Sequence, residues 1–451
     1  MNDADFRSKK TMKVRGGQIP QGSVKVSGAK NAATRLMAAA LLTDERVTLY
    51  NFPTELVDAR YKADFMRKVG AVVEFDEGSS LLTIHADQAT TPDLDNYAYP
   101  IRTTYLLVAG QLNKTGLARI PYPGGCSIGK RKYDLHVMVW ERMGCEVKEK
   151  EDHIEIRGQL KPAEINFPIS TIGGTENALI CGAGIEGTTI IRNAYVSPEV
   201  YCLIEFLHSL GANIKTTGNS FISVTGSTKL RGSTFKVIPD RIEALTWIIF
   251  GALSQGAIII ENVPFDVMDS PLLHLRESGL DIYQNSTNVY INKHCLKNGS
   301  IQPFELACGT YPGVISDMQP FFTLLGLKAQ GISRIYDYRY PDRTAYLGEM
   351  AKFCPDALRW ESGKITIHGP GKFQATDAVS TDLRGSMGMV IAGLLADGVS
   401  TISDVGMALR GYDRMLEKLQ VLGIECELLD DGNGPNGIEL SSEGQPPANS
   451  G

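Results

Sequence analysis

The sequence predicts a mixed α/β (α+β) fold, a two-lobed inverse α/β barrel built from six repeated βαβαββ-type units, three per lobe. Three observations predict it. An apolar helical stretch, a turn and a β-branched strand recur at intervals of roughly 70 residues along the 451-residue chain. Between them recurs a second pattern of amphipathic helix, glycine and strand. At 43% hydrophobic and 21% charged residues, the chain has enough apolar side chain for more than one core.

The elements follow in order. KVRGGQIPQGSVKVSG alternates like a strand, and alternation alone lets it pair with a sheet in either lobe. The first unit reads LMAAALLTDERVTLYN from Leu36, then FMRKVGAVVEF. The second reads LLVAGQLNKTGLARIP from Leu106, then ERMGCEVKE, and the third LICGAGIEGTTIIRNA from Leu179, then FLHSLGANIK. IIFGALSQGAIIIENV from Ile248 opens the fourth. LLGLKAQGISRIYDY from Leu324 opens the fifth, whose second half, AKFCPDALRW, has Cys-Pro where the others have Gly. VIAGLLADGVSTISDV from Val390 opens the sixth, followed by KLQVLGIECE. Turn glycines stand at 116, 187, 256, 331 and 398, with Glu45 in the first copy. In the second halves the glycine suits a left-handed helix end.

Six units of this kind divide into one lobe of residues 1–29 plus 239–430 and another of residues 30–238. The second lobe includes the loop 122–136. Residues 431–451, rich in Gly, Pro, Asn and Ser, read as a flexible tail. A ligand site between the lobes is the expectation.

Composition excludes several function classes. With 45 basic and 51 acidic residues the net charge is -6, which argues against a sequence-independent nucleic-acid binder but leaves room for local anion pockets. Eight cysteines are scattered without a CxxC pair or a Cys/His spacing suited to zinc, so a reduced, cytoplasmic setting and no metal are expected. The N-terminus lacks the apolar stretch of a secretory signal, and Leu245 to Leu253 is far shorter than the ~20 residues that span a bilayer.

Fixed charge gathers at the starts of equivalent helices. SGAKNAAT places Lys30 and Asn31 just ahead of the helix near Leu36, either as an anion cradle or as a solvated helix cap. Arg102, Asp240 with Arg241, Asp317, and Asp382 with Arg384 stand at the corresponding points of later copies. Symmetric repeats bring such ends toward a common centre, and with Arg131, Arg343 and Arg410 the cations suit a phosphorylated substrate. Asp317 and Asp382 fit beside phosphates only as bases or as holders of an arginine. In YPGGCSIGKRKYDLH, Lys130, Arg131 and Lys132 follow Cys126 closely, and cations so near lower a thiol's pKa. A small apolar side chain packed in a glycine turn is the other reading of that cysteine.

SGAKNA, PGGCSIGKRKYDLH, GTTIIRNA, PDRIEA, DMQPFFTLL, TDLRGS and RGYDRMLEKL, in this order from about Val14 to Leu428, resemble the enolpyruvyl transferases. The resemblance is to the branch acting on UDP-N-acetylglucosamine in peptidoglycan synthesis. The shikimate branch lacks the cysteine loop and fits less well. The resemblance implies transfer of the enolpyruvyl group of phosphoenolpyruvate to a sugar 3-hydroxyl with release of phosphate, and no cofactor. It implies that Cys126 protonates the methylene carbon and that Asp317 takes or orients the hydroxyl proton. Lys30, Arg102, Arg131 and Arg410 would hold the phosphate, and Arg343, Asp382 and Arg384 the carboxylate and the intermediate. Asn31, Lys132, Tyr133, Asp134, Leu135, Thr171, Ile172, Gly173 and Arg339 complete the implied substrate contacts. The implied partners are phosphoenolpyruvate and a UDP-sugar or related nucleotide, with no nucleic acid or membrane. Leu106, Lys132, Tyr133, Thr344 and Leu409 depart from the family pattern around the acceptor. A paralogue acting on another nucleotide-sugar or nucleoside, or a non-catalytic nucleotide-binding relative, therefore stays open.

Overall fold

The interior of the protein is helical. The computed structural model describes residues 10–88, 101–122 and 133–430. Six helices, Lys30–Ala39, Val108–Thr115, Ile172–Ala183, Arg241–Leu253, Gln319–Lys328 and Leu383–Leu395, open the six units. Every residue of Arg241–Leu253 is buried, as are all of Leu383–Leu395 but the last. A helix apolar on all sides has no face to offer water, so protein must surround it. The second helices, such as Val57–Lys68 and Pro198–Leu210, are amphipathic and close each unit.

The strands lie outside this helical layer, alternating buried and more exposed positions as in Lys10–Arg15. They form six open sheets of three to five strands among the described residues. One order recurs. Glu164–Asn166 runs parallel to Gly187–Arg192, which pairs antiparallel with Phe221–Gly226, which in turn pairs with Asn213–Thr217. Gln21–Lys25, Ala257–Glu261, Val289–Ile291 and Tyr283–Gln284 repeat it. In the sixth unit the N-terminal strand Lys10–Arg15 fills the inner place, between Val399–Ser403 and Cys426–Asp430. The two ends of the described chain thus complete one sheet, a pairing that alternation left open.

The turn after the first helix takes a left-handed residue in several copies, with Gly187 at φ 107° and Gly398 at φ 107°. Gly256 departs from this pattern. Gln255 carries the positive φ, and Gly256 is required because a Cβ there would lie 2.6 Å from Pro20 Cγ. In the fifth unit, where Cys-Pro replaces Gly, Asp356 takes φ 63°.

Buried apolar side chains form two large clusters. A split core joins Met12 to Val26 with Ile242 to Cys426, and a continuous core runs from Ala29 to Val237. The chain passes between them at Gly28 and again at Pro239, which form a β-bridge with each other. Leu409, one of the departures from the family pattern, packs both on the split core and on Val57, Tyr61 and Ile101. Among the described residues no helix is long and apolar enough to cross a membrane.

Candidate functional site

A cavity of about 650 Å3 is lined by residues at the starts of four of the six interior helices and from the 3-10 turns, Arg102–Leu107 and Ser316–Met318, that lead into the other two. Lys30 and Asn31, Arg102 and Thr103, Thr171 to Gly173, Arg241, Ser316 and Asp317, and Asp382 to Arg384 all reach it. The first turn of a helix leaves backbone N–H groups without intrahelical partners, so these ends carry polar side chains. Asp382 Oδ1 accepts from the N–H groups of Arg384 and Gly385, both at 3.0 Å. Asp240 Oδ1 accepts from those of Ile242 at 2.8 Å and Glu243 at 3.1 Å, and Thr171 caps its helix in the same way. The helix carrying Lys30 begins at that residue, so Lys30 and Asn31 belong to its first turn and do not precede it.

The cavity supplies its own counter-charges. Asp58 sits between Lys30 Nζ at 3.0 Å and Arg410 Nε at 2.7 Å. Arg343 reaches Asp317 Oδ1 and Asp382 Oδ1, each at 2.8 Å. Arg384 lies 3.5 Å from Asp240 and 3.8 Å from Asp317, and Arg241 pairs with Glu199 at 2.9 Å. Burial pushes the Asp58 carboxyl up, but Lys30 and Arg410 more than offset this and hold it below its ordinary value. Burial likewise opposes ionisation of Asp317, yet Arg343 and Arg384 keep it well below the usual carboxylate range. His136, desolvated and facing Arg102 and Arg35, is pushed down to about 3 and is neutral near pH 7.

Of the site residues read from sequence, Lys30, Asn31, Arg102, Asp134, Leu135, Thr171, Ile172, Gly173, Asp317, Arg339, Arg343, Asp382, Arg384 and Arg410 line this one cavity. Tyr133 is not among the lining residues: its hydroxyl donates to Glu149 Oε1 at 2.7 Å and its ring packs near Tyr105 and Tyr122. Cys126, Arg131 and Lys132 lie outside the described residues. Leu106, one of the residues that depart from the family pattern, also lines the cavity. Sequence reasoning missed Asp58, the Arg35–Glu176 pair, Glu199 and His136, all of which line it. Asp58 and Glu199 stand in the first turns of the second helices, whereas the charges that recur in sequence stand ahead of the first helices.

The sequence model for the EPSP synthase family (3-phosphoshikimate 1-carboxyvinyltransferase) matches residues 14–419. The chain belongs to this family of enolpyruvyl transferases. The UDP-N-acetylglucosamine 1-carboxyvinyltransferase of Caulobacter sp. (strain K31) is 32% identical over 430 residues, spanning 94% of this chain and 98% of that one. UDP-N-acetylglucosamine 1-carboxyvinyltransferase 1 of Carboxydothermus hydrogenoformans is 35% identical over 408 residues, 90% of this chain and 95% of its own. The enolpyruvyl transferase fold is shared with NikO from Streptomyces tendae, at a TM-score of 0.83 and 23% identity over 95% of this chain and 100% of that one. EPSP synthase from Acinetobacter baumannii also shares it, at a TM-score of 0.70 and 18% identity over 93% of this chain and 100% of that one.

Proposed function

We propose that this enolpyruvyl transferase moves the enolpyruvyl group of phosphoenolpyruvate to the 3-hydroxyl of UDP-N-acetylglucosamine, releasing phosphate, at the first committed step of peptidoglycan synthesis. The observation that carries the reading is the convergence of Lys30, Arg102, Arg343, Arg384 and Arg410 in one cavity. It occurs in a chain that aligns along most of its length with relatives named for that reaction.

The chemistry asks for an acid, an acceptor of the hydroxyl proton and cations for two anionic groups. A proton added at C3 of phosphoenolpyruvate makes C2 electrophilic. The sugar oxygen bonds to C2 as its proton passes to a base. Loss of a C3 proton then expels phosphate from C2 and restores the double bond. Lys30 and Arg410 hold the phosphate in this reading, with Arg102 beside them, and Arg343 and Arg384 hold the carboxylate. Asp317 receives or orients the hydroxyl proton.

Cys126 supplies the proton at C3. The seven described cysteines are buried, and burial pushes each thiol above its ordinary pKa, as with Cys145 at about 11, so none of them is suited to donate near neutral pH. Cys126, with its cationic neighbours, has the opposite setting in sequence. Residues 1–29 with 239–430, and residues 30–238, serve as the two lobes around the ligands, in the cytoplasm. Of the stretches read from sequence as the cysteine loop 122–136 and the tail 431–451, residues 123–132 and 431–451 lie outside the described residues, and Asp134 to His136 open the helix Asp134–Arg142.

The test is phosphate release by purified protein given phosphoenolpyruvate and a panel of UDP-sugars and nucleosides. Release with UDP-N-acetylglucosamine supports the reading. Release only with another acceptor refutes the substrate, and release with none refutes the transferase. Cys126→Ala should abolish turnover while sugar-nucleotide binding persists, and unchanged turnover would remove the cysteine from the mechanism.

A further inference from the structure

We propose that Arg343 is a positioning residue that withholds Asp317 from proton transfer until an anion enters the cavity. The inference rests on the reading of Asp317 as the group that receives the hydroxyl proton.

The geometry separates fixed from movable groups. Asp382 is fixed by two backbone N–H bonds, so the 2.8 Å contact from Arg343 Nη2 anchors the guanidinium at one end. The other end, Nη1, donates to Asp317 Oδ1 at 2.8 Å. Arg343 is 3% exposed and its Nε is buried with no hydrogen-bond partner. Arg384 is similarly buried, with Nε and Nη2 unpartnered by hydrogen bonds, and its Nε lies 3.8 Å from Asp317 Oδ2. Asp317, with 28% of its side chain exposed, is the most accessible member of this cluster. Two buried guanidinium groups therefore share one cavity-facing carboxylate while retaining unsatisfied N–H groups, each costly to leave unpaired.

An incoming carboxylate or phosphate brings oxygens to the side of these guanidinium groups that Asp317 occupies. It competes with Asp317 for Arg343 and Arg384, and its charge offsets the field they impose. The cations facing Asp317 come from three elements: Arg343 in the segment after strand Ile332–Asp337, Arg384 at the start of Leu383–Leu395, and Lys30 at the start of Lys30–Ala39. The neighbouring carboxylates, Asp382 and Asp240, are engaged as helix caps. Without ligand, these cations hold Asp317 well below its ordinary pKa, which makes it a weak base. Anion binding strengthens it at the moment the hydroxyl oxygen bonds to C2, C3 takes its proton and the hydroxyl proton passes to Asp317. Proton removal is thereby tied to the presence of the enolpyruvyl donor.

The test is a double-mutant cycle on phosphoenolpyruvate affinity, measured by calorimetry on the full chain with wild type, Asp317→Asn, Arg343→Met and the double variant. With Arg343 present, Asp317→Asn should tighten binding about tenfold by removing the competing carboxylate. In the Arg343→Met background it should change affinity less than about twofold. Arg343→Lys replaces Arg343→Met if the latter fails to fold, with the same direction expected. A second readout is the acidic limb of the pH profile of kcat/KM, which reports the free enzyme and should move to higher pH in Arg343→Met as Asp317 regains a higher pKa. Equal effects of Asp317→Asn in both backgrounds, or an unmoved acidic limb, would overturn the proposal. Wild-type protein with no turnover on any acceptor but an intact coupling in the cycle would refute the transferase reading while leaving the Arg343–Asp317 coupling standing.

Discussion

Asp58 Oδ1 lies 2.7 Å from Arg410 Nε, joining a residue flanked in sequence by the continuous core to one flanked by the split core. Asp58 also holds Lys30, so one buried carboxylate gathers two cations whose neighbours in sequence belong to different cores. Asp58→Asn should raise KM for phosphoenolpyruvate and lower kcat/KM by roughly 10- to 100-fold, about 1.4–2.7 kcal/mol, because Lys30 and Arg410 lose the carboxylate that places them. Steady-state kinetics checks this. Because the folded pKa is depressed, the stability Asp58 contributes is fully present above its ordinary value and is lost as pH falls through the folded one. The Tm difference between wild type and Asp58→Asn should therefore be full near pH 7 and shrink below about pH 4.

Lys62 is fully buried and donates to the backbone oxygens of Thr34 at 2.6 Å and Thr103 at 2.9 Å. It ties the Lys30 helix to the segment bearing Arg102. Burial pushes its pKa well below the ordinary lysine value, with Arg35 adding to the shift. The unfolded chain then binds more protons than the folded one between the two values, so stability rises with pH across that window. Thermal unfolding followed from pH 7 to pH 10 should show the Tm of wild type gaining on that of Lys62→Met as pH rises, and a constant difference between the two would contradict this.

Arg241 and Glu199 form a buried pair whose flanking apolar residues belong to different cores. Arg241→Met leaves a carboxylate buried without its cation and should cost about 3–5 kcal/mol, whereas Arg241→Met with Glu199→Gln should recover a substantial part. Denaturant unfolding of both variants provides the comparison.

Gly28 sits where the chain crosses between cores, and a Cβ there would lie 2.0 Å from Asn51 O. That neighbour is backbone and cannot swing aside. Gly28→Ala should lower Tm by an amount corresponding to about 1–3 kcal/mol of overpacking.

Much of this architecture was legible because the six interior helices are rich in apolar residues, two of them, Arg241–Leu253 and Leu383–Leu395, being buried on nearly every side. Each ends in a turn that marks the repeat, so both the count and the gathering of helix starts could be read from spacing. The fifth unit was harder to read because Asp356, not glycine, takes the left-handed position. The partner of Lys10–Arg15 was hidden for a different reason. It is set by closure of the sixth sheet, whose other strands lie more than 360 residues away, and local alternation carries no such information. At the site, single charges were visible but their pairing was not. Asp382 reads in sequence as a base or as the holder of some arginine, and in the fold it is a helix cap whose arginine is Arg343. Asp58 escaped because its role depends on Arg410, 352 positions further along the chain.

The most direct measurement of the central claim is mass spectrometry of the acceptor after incubation of purified protein with phosphoenolpyruvate and UDP-N-acetylglucosamine, with inorganic phosphate counted in parallel. The account predicts UDP-N-acetylglucosamine heavier by one enolpyruvyl group, one phosphate released per product, and loss of both in Lys30→Ala and Arg410→Ala. Unmodified acceptor with no phosphate released by the folded wild-type protein would contradict it.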